Sequence, residues 1–190
     1  MNLLFHICCA PCLGAPLEAL RQEGFQVSGF FFNPNIHPLL EFRKRVKALK
    51  VFLESDPLPV EMEESYGLDR FLEDVAPPRE RRCARCYALR LERTARLAAR
   101  QGAPAFSTTL LASRHQDHEA VKQAGEQAAE RAGVEFLYRD FRPLADRSAA
   151  MARQKMLYRQ AYCGCVFSEE ERFRHTAKEL YRGPGGGTQG

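Results

Sequence analysis

Seven cysteines fall in three tight groups: Cys8, Cys9 and Cys12 in "CCAPC", Cys83 and Cys86 in "CARC", and Cys163 and Cys165 in "CGC". Thiolates are nucleophiles and soft metal ligands, and close spacing lets one turn of chain offer several of them to one ion or cluster. A scattered free cysteine is usually a small apolar side chain, but none of these seven is scattered. An odd number cannot pair fully as disulfides, so metal binding or redox chemistry is the favoured reading. A Cys-x-x-Cys pair such as Cys9–Cys12 or Cys83–Cys86 suits zinc, an iron–sulfur cluster or a dithiol couple. Seven thiolates exceed the four that hold one tetrahedral zinc or one 4Fe-4S cluster. Either some stay free or two metal sites lie side by side. Long stretches of chain separate the groups, unlike the paired knuckles of a zinc ribbon, so a folded scaffold must assemble them.

Alternating strand-like and helix-like segments supply that scaffold. Strands are expected at "NLLFHI", "VSGFFF", "LPVEM", "AFSTTLL" and "VEFLYRDF", which are rich in β-branched, aromatic or apolar residues. Helices are expected between them, at "PLEALRQEGF", "LLEFRKRVKALKVFLES", "GLDRFLEDVA", "CARCYALRLERTARLAARQG" and "QDHEAVKQAGEQAAERAG", several closed by glycine or proline. Two more are expected at "DRSAAMARQKMLYRQAY" and "SEEERFRHTAKELYR", the second opened by Ser168 and Glu171 in capping-box spacing. The pattern predicts an α/β fold: one domain, a parallel five-stranded sheet and helices on both faces. Cys8, Cys9 and Cys12 then follow the first strand, where open α/β sheets gather their sites, and Cys83 and Cys86 open a helix. A helix start favours thiolate over thiol.

The chain has 190 residues, 45% hydrophobic and 27% charged, with a net charge of +4, as an ordinary globular domain does. Residues 1–182 read as one domain, and the glycine-rich 183–190 as a disordered tail. No apolar run is long enough to span a membrane, and "MNLLFHICC" lacks the basic start and cleavage site of a signal peptide. A cytoplasmic location is expected. There is no glycine fingerprint for a nicotinamide or flavin and no P-loop.

From about residue 3 to 173, "HICCAPC", "FFFNPNIHP", "CARCYALRLERTA", "STTLLASRHQDH", "YRDFRP" and "LYRQAYCGCVFSEEER" together resemble the QueH family of cobalamin-independent epoxyqueuosine reductases. The resemblance implies a fold related to the adenine-nucleotide α-hydrolases, with cysteines where relatives bind phosphates. It implies a 4Fe-4S cluster with an adjacent mononuclear metal, iron or possibly zinc, and no cobalamin. The implied reaction reduces epoxyqueuosine to queuosine at the wobble position of tRNA with a GUN anticodon. All seven cysteines fall on the family's cysteine motifs. Two stretches depart from its pattern: Arg114 and His115 stand where a proline and an aromatic are expected, and Leu144 and Ala145 where a glycine and an aromatic are common.

Converting an epoxide to an alkene takes two electrons and two protons and releases water. A low-potential cluster delivers electrons singly, and a Lewis-acidic metal stabilises the developing alkoxide. With no nicotinamide site, an external ferredoxin- or flavodoxin-like donor must feed the centre. Candidate proton donors near the motifs are Asp117, Asp140 and Tyr87, with His115 and His118 beside them. Each has a structural alternative: Asp117 as a helix N-cap, Asp140 paired with Arg142, Tyr87 packed in its helix. His6, inside the first strand, reads as a satisfied core residue. For the substrate, Asn33, Asn35 and His37 offer groups to a base edge or a polar ring. Arg82 and Arg85, with Arg79 and Arg81, suit RNA phosphates, as do Arg43, Lys44, Arg45 and Lys47. Phe31 and Phe32 read as core. The competing functions are a zinc-containing tRNA-binding protein, a nucleotide-hydrolase-like RNA-modifying enzyme without redox chemistry, and a thiol–disulfide oxidoreductase. "CCAPC" stands where a phosphate loop would be needed for the second.

Overall fold

The computed structural model describes residues 1–75 and 78–176, so the tail at 183–190 lies outside the described residues. Five strands, β1 (Asn2–His6), β2 (Gln26–Phe31), β3 (Val60–Met62), β4 (Ala105–Thr108) and β5 (Glu135–Phe136), form one sheet. All four pairings are parallel and the order is β3-β2-β1-β4-β5. β1 is central, covered on both faces, and therefore reads as a continuous apolar run. Phe5 pairs with Gly29 on one side and Ser107 on the other.

The helices are α1 (Gly14–Gln22), α2 (Leu39–Ser55), α3 (Leu68–Asp74), α4 (Arg82–Gln101), α5 (His118–Ala132), α6 (Ala145–Gln154) and α7 (Val166–Phe173). Right-handed crossovers place α1 and α2 on one face of the sheet and α4 and α5 on the other. α4 packs along α5, and α6 packs against α1. Apolar residues at helical spacing carry this: Tyr87, Leu91, Ala95 and Ala98 of α4 are buried toward the sheet. The helix stops at Gly102, whose φ of 68° sits in the left-handed region that closes helices. Phe5, Phe30, Phe31 and Phe106 are fully buried between the layers, each contributing about 1.5–3 kcal/mol over exposure. Phe31 and Phe32 are thus core residues, as expected.

The chain winds outward from β1 to β3, returns past β1, and continues outward through β4 and β5. That reversal opens a crevice at the carboxyl ends of β1 and β4, the usual place for a site in this architecture. The sequence had implied longer elements here. "AFSTTLL" leaves the sheet after Thr108, whose hydroxyl accepts from the Leu110 N–H at 3.1 Å and starts a 3-10 turn over Thr109–Ala112. β5 holds two residues of the expected eight, because the chain turns at Asp140 and drops Phe141 into the core against Phe5. α6 ends at Gln154 rather than running to Tyr162: Met156 takes a φ of 51°, and residues 157–165 are irregular. α7 is capped by Cys165, not Ser168; the Cys165 Sγ accepts from the Ser168 N–H at 3.4 Å, and the Ser168 hydroxyl donates back to the Cys165 carbonyl at 2.8 Å. The part of that expected helix beyond residue 176 lies outside the described residues.

Candidate metal centre

β1 ends at His6, and the chain then makes a 3-10 turn over Ala10–Cys12 before α1. The turn gathers the first three thiols. The sulfurs of Cys8, Cys9 and Cys12 all lie within 4.8 Å of one another, with Cys8 and Cys9 3.7 Å apart. Three sulfurs on one tetrahedral ion at about 2.3 Å would sit about 3.8 Å apart. The donor set therefore fits a single ion with one position left open. Sharing of hydrogen bonds with Cys12 and Cys9 holds the Cys8 thiol well below its ordinary range, and the same bonds raise Cys12. A trio with one thiolate already favoured is prepared to shed the other protons to a metal.

Cys83 and Cys86 occupy the first turn of α4, and Cys163 and Cys165 flank Gly164 just before α7. Each α4 thiol feels the charge of both Cys163 and Cys165, so the four form one electrostatic group. Burial pushes Cys86 up to about 12. Cys86 and Cys165 are packed with Phe71 and Val75, while Cys83 and Cys163 are exposed at the rim. Among the described residues, the trio alone closes to single-ion spacing. A wider quartet suits a multi-iron body, whose irons take their thiolates at separate corners. Both groups border one recess of about 680 Å³, lined by Cys8, Cys12, Cys83, Cys163 and Cys165 among others.

The segment carrying Cys163 and Cys165 is fixed by tertiary bonds. Arg45 is buried, pairs with Glu41 at 2.8 Å, and donates to the carbonyls of Cys163 at 2.7 Å and Tyr162 at 3.0 Å. The Tyr162 hydroxyl donates to the His37 carbonyl at 2.5 Å, and the His37 N–H to the Gly164 carbonyl at 2.8 Å. Gly164 has a φ of 142°, and a Cβ there would meet Arg45 Nη1 at 3.1 Å and Asn35 Nδ2 at 3.2 Å. Arg45 was grouped with residues suited to RNA phosphates. Its burial against Glu41 and two carbonyls corrects that: it is a clamp inside the protein.

Asn33 and Asn35 border the recess, and the Asn35 Oδ1 is buried without a hydrogen-bond partner among the described residues. The His37 ring is packed edge-on against Tyr66 and Phe71, and burial pulls its pKa to about 4. Arg82 lines the recess and pairs with Glu171 at 2.5 Å while lying over Phe167, as Arg79 does. Arg85 is exposed, one residue before Cys86. Tyr87 lines the recess, and its hydroxyl donates to Gln116 Oε1 at 2.7 Å. Burial pushes that phenol's pKa up. Asp117 caps α5, accepting from the Ala120 N–H at 3.0 Å. Asp140 pairs with Arg142 at 2.6 Å, whose hydrogen bonds hold it down to about 2. His6 is satisfied by Thr108 Oγ1 at 2.8 Å and the Phe32 carbonyl at 3.2 Å. The two stretches that depart from the family pattern meet in an exposed ion pair, Arg114 to Asp146 at 2.8 Å.

Three residues of the site carry no motif of their own in the sequence. Gln160 donates to Cys9 Sγ at 2.8 Å, and its buried Oε1 has no hydrogen-bond partner among the described residues. Gln116 donates to Cys163 Sγ at 3.5 Å. Arg90 is fully buried on α4, one turn beyond Cys86, with Nη1 3.9 Å from Cys86 Sγ and Nη2 2.6 Å from Asn33 Oδ1. Spacing from Cys83 and Cys86 was its available signal, since positions four and seven along share a helix face.

A family model described as "Epoxyqueuosine reductase QueH" matches residues 3–171. A protein of that name from Dehalococcoides mccartyi is 37% identical over 90% of this chain and 94% of its own length. One from Thermotoga maritima is 35% identical, covering 96% and 98%, and one from Haemophilus influenzae 32%, covering 88% and 71%. No helix among the described residues is long and apolar enough to cross a membrane.

Proposed function

This chain belongs to the QueH family of epoxyqueuosine reductases, and we propose that its thiols divide by proximity into two metal-holding groups that serve that reaction. The enzyme is an oxidoreductase of queuosine biosynthesis acting on tRNA. The reaction converts an epoxide, two electrons and two protons into an alkene and water. Cys83, Cys86, Cys163 and Cys165 would hold the 4Fe-4S cluster. Cys8, Cys9 and Cys12 would hold the single ion, iron or zinc. When bound, the cluster supplies single electrons and the ion a Lewis acid for the epoxide oxygen. The observation that carries the reading is the split itself: three sulfurs at single-ion spacing and four in a looser group, bordering one recess.

The protein's own groups have distinct work. Asn35 and Gln160 line a recess that must take a nucleoside with a hydroxylated ring, and their buried Oδ1 and Oε1 are acceptors without partners among the described residues. They orient hydroxyl donors, and an unfilled acceptor discriminates strongly against a substrate lacking them. Tyr87 lines the recess and carries a proton on its Oη, shared with Gln116 Oε1, which makes it the favoured proton donor of the three candidates. Asp140, held ionised at the surface, carries no proton to give. The wobble nucleotide of a GUN anticodon, unpaired in its loop, can be splayed into the recess. Free thiols and a tRNA substrate suit the reducing cytoplasm. An external ferredoxin- or flavodoxin-like protein supplies the electrons.

Purification without oxygen, followed by iron and acid-labile sulfide analysis and turnover on epoxyqueuosine-containing tRNA, tests this. Roughly four or more irons per chain with matching sulfide is expected. A colourless protein that holds zinc alone after anaerobic reconstitution would sink the redox reading and favour a zinc-bearing RNA-binding role.

A further inference from the structure

Arg90 lies on the floor of the recess, 2% exposed. Among the described residues no carboxylate lies within 4.0 Å of its guanidinium, and its Nε has no hydrogen-bond partner. The other buried arginine, Arg45, behaves differently: Glu41 balances it at 2.8 Å. A buried cation without a counter-charge is costly, and chains keep one where an anion completes it. The nearest candidates are sulfurs. Cys86 Sγ is 3.9 Å from Nη1, and Cys8 and Cys163 are close enough for their charges to act on the guanidinium. Arg90 therefore faces both thiol groups from one position. Its orientation is fixed from the far side: Asn33 accepts from Nη2 at 2.6 Å, and the Asn33 amide donates to the Ile7 carbonyl at 2.9 Å, at the end of β1.

Four thiolates outweigh the small positive charge of an iron–sulfide core, and three outweigh a divalent ion, so each proposed site is net negative when loaded. We infer that Arg90 is a positioning residue for the metal centre: its guanidinium is the buried counter-charge shared by the two thiolate groups, and it raises the potential at which the centre accepts electrons. This rests on the metal reading above. A fixed positive charge in a dry site stabilises the more negative, reduced state, and net charge with hydrogen bonding to sulfur is what sets cluster potentials. The same charge favours deprotonated thiols and so retention of metal. In the metal-free protein it is only partly compensated, by the Asn33 amide oxygen and the Cys8 thiol.

The test compares wild type, Arg90→Met and Arg90→Lys, prepared without oxygen and loaded with iron and sulfide. The readings are the midpoint potential, the rate of iron loss to a chelator, and the melting temperature of the metal-free form. Arg90→Met is expected to have a more negative midpoint and to lose iron roughly 10-fold faster or more, as removal of outer-shell partners does. Its metal-free form is expected to melt near the wild-type temperature, because losing the Asn33 hydrogen bond offsets relief of the buried charge. Arg90→Lys, which keeps the charge, is expected to fall between. Unchanged potential and iron retention in Arg90→Met overturns the inference, and so does a Lys variant that loses the cluster as fully as the Met variant. If Arg90→Met binds no cluster, a loaded Arg90→Lys supports the charge role. Wild type without iron after loading would fail at the metal reading itself and take this inference with it.

Discussion

Tyr87 lines the recess, and its hydroxyl donates to Gln116 Oε1 at 2.7 Å, another lining residue. Replacement by phenylalanine removes one oxygen and little packing. Tyr87→Phe is expected to reduce turnover about 10²–10⁴-fold, the usual range for a general acid, with iron content and melting temperature unchanged. Turnover within twofold of wild type would move the role elsewhere. Gln160→Leu removes both an N–H to Cys9 and a free acceptor. It is expected to raise KM for the tRNA substrate, measured beside iron content to separate the two losses. At this scale the thiols were legible because their spacing is unusual in any chain. Arg90 was not, since arginine on a helix normally faces water and "CYALRLERTARLAAR" carries four of them. Gln160 offers no local pattern at all: its neighbour Cys9 is 151 positions away.

The element that decides the site is the irregular segment after α6, because it delivers Cys163 and Cys165 to the other thiols. Its geometry depends on α2, through Arg45 and its partner Glu41. Glu41 also accepts from the Tyr158 hydroxyl at 2.5 Å. Arg45→Met leaves that carboxylate buried without its counter-charge, with only the Tyr158 hydroxyl on it, which is expected to cost about 3–5 kcal/mol, read by denaturant unfolding of the metal-free protein. Adding Glu41→Leu is expected to recover much of the stability but not the iron, since the carbonyl clamp stays broken. Recovery of iron along with stability would show that the clamp is dispensable. Most helices, and the existence of every strand, were legible from periodicity. The run from Lys155 to Tyr162 was not, because its residues favour helix locally while the bonds that divert it come from α2 and from the loop before it. Tertiary partners override propensity where they are this many and this buried.

Across the molecule, the strand order explains why the thiols meet at all. The β1 turn, the start of α4 and the segment before α7 are remote in sequence and share one sheet edge. A metal centre spanning them ties three otherwise separate pieces together, and binding confined to the native state stabilises it. Chelation is therefore expected to lower the melting temperature and to expose residues 155–176 to proteolysis and hydrogen exchange before β1 and β4. An unchanged melting temperature would mean that the scaffold is complete without metal. The same wide spacing has a consequence for how the protein is made. At a synthesis rate of about 5–20 residues per second, Cys8, Cys9 and Cys12 leave the ribosome on the order of ten to thirty seconds before Cys163 and Cys165. With the thiols divided as proposed, a cluster would have no complete set of ligands until that late segment emerges, so iron and sulfide would arrive after translation has nearly finished, and the early thiols would wait in an unfinished protein that needs a reducing surrounding to keep them intact.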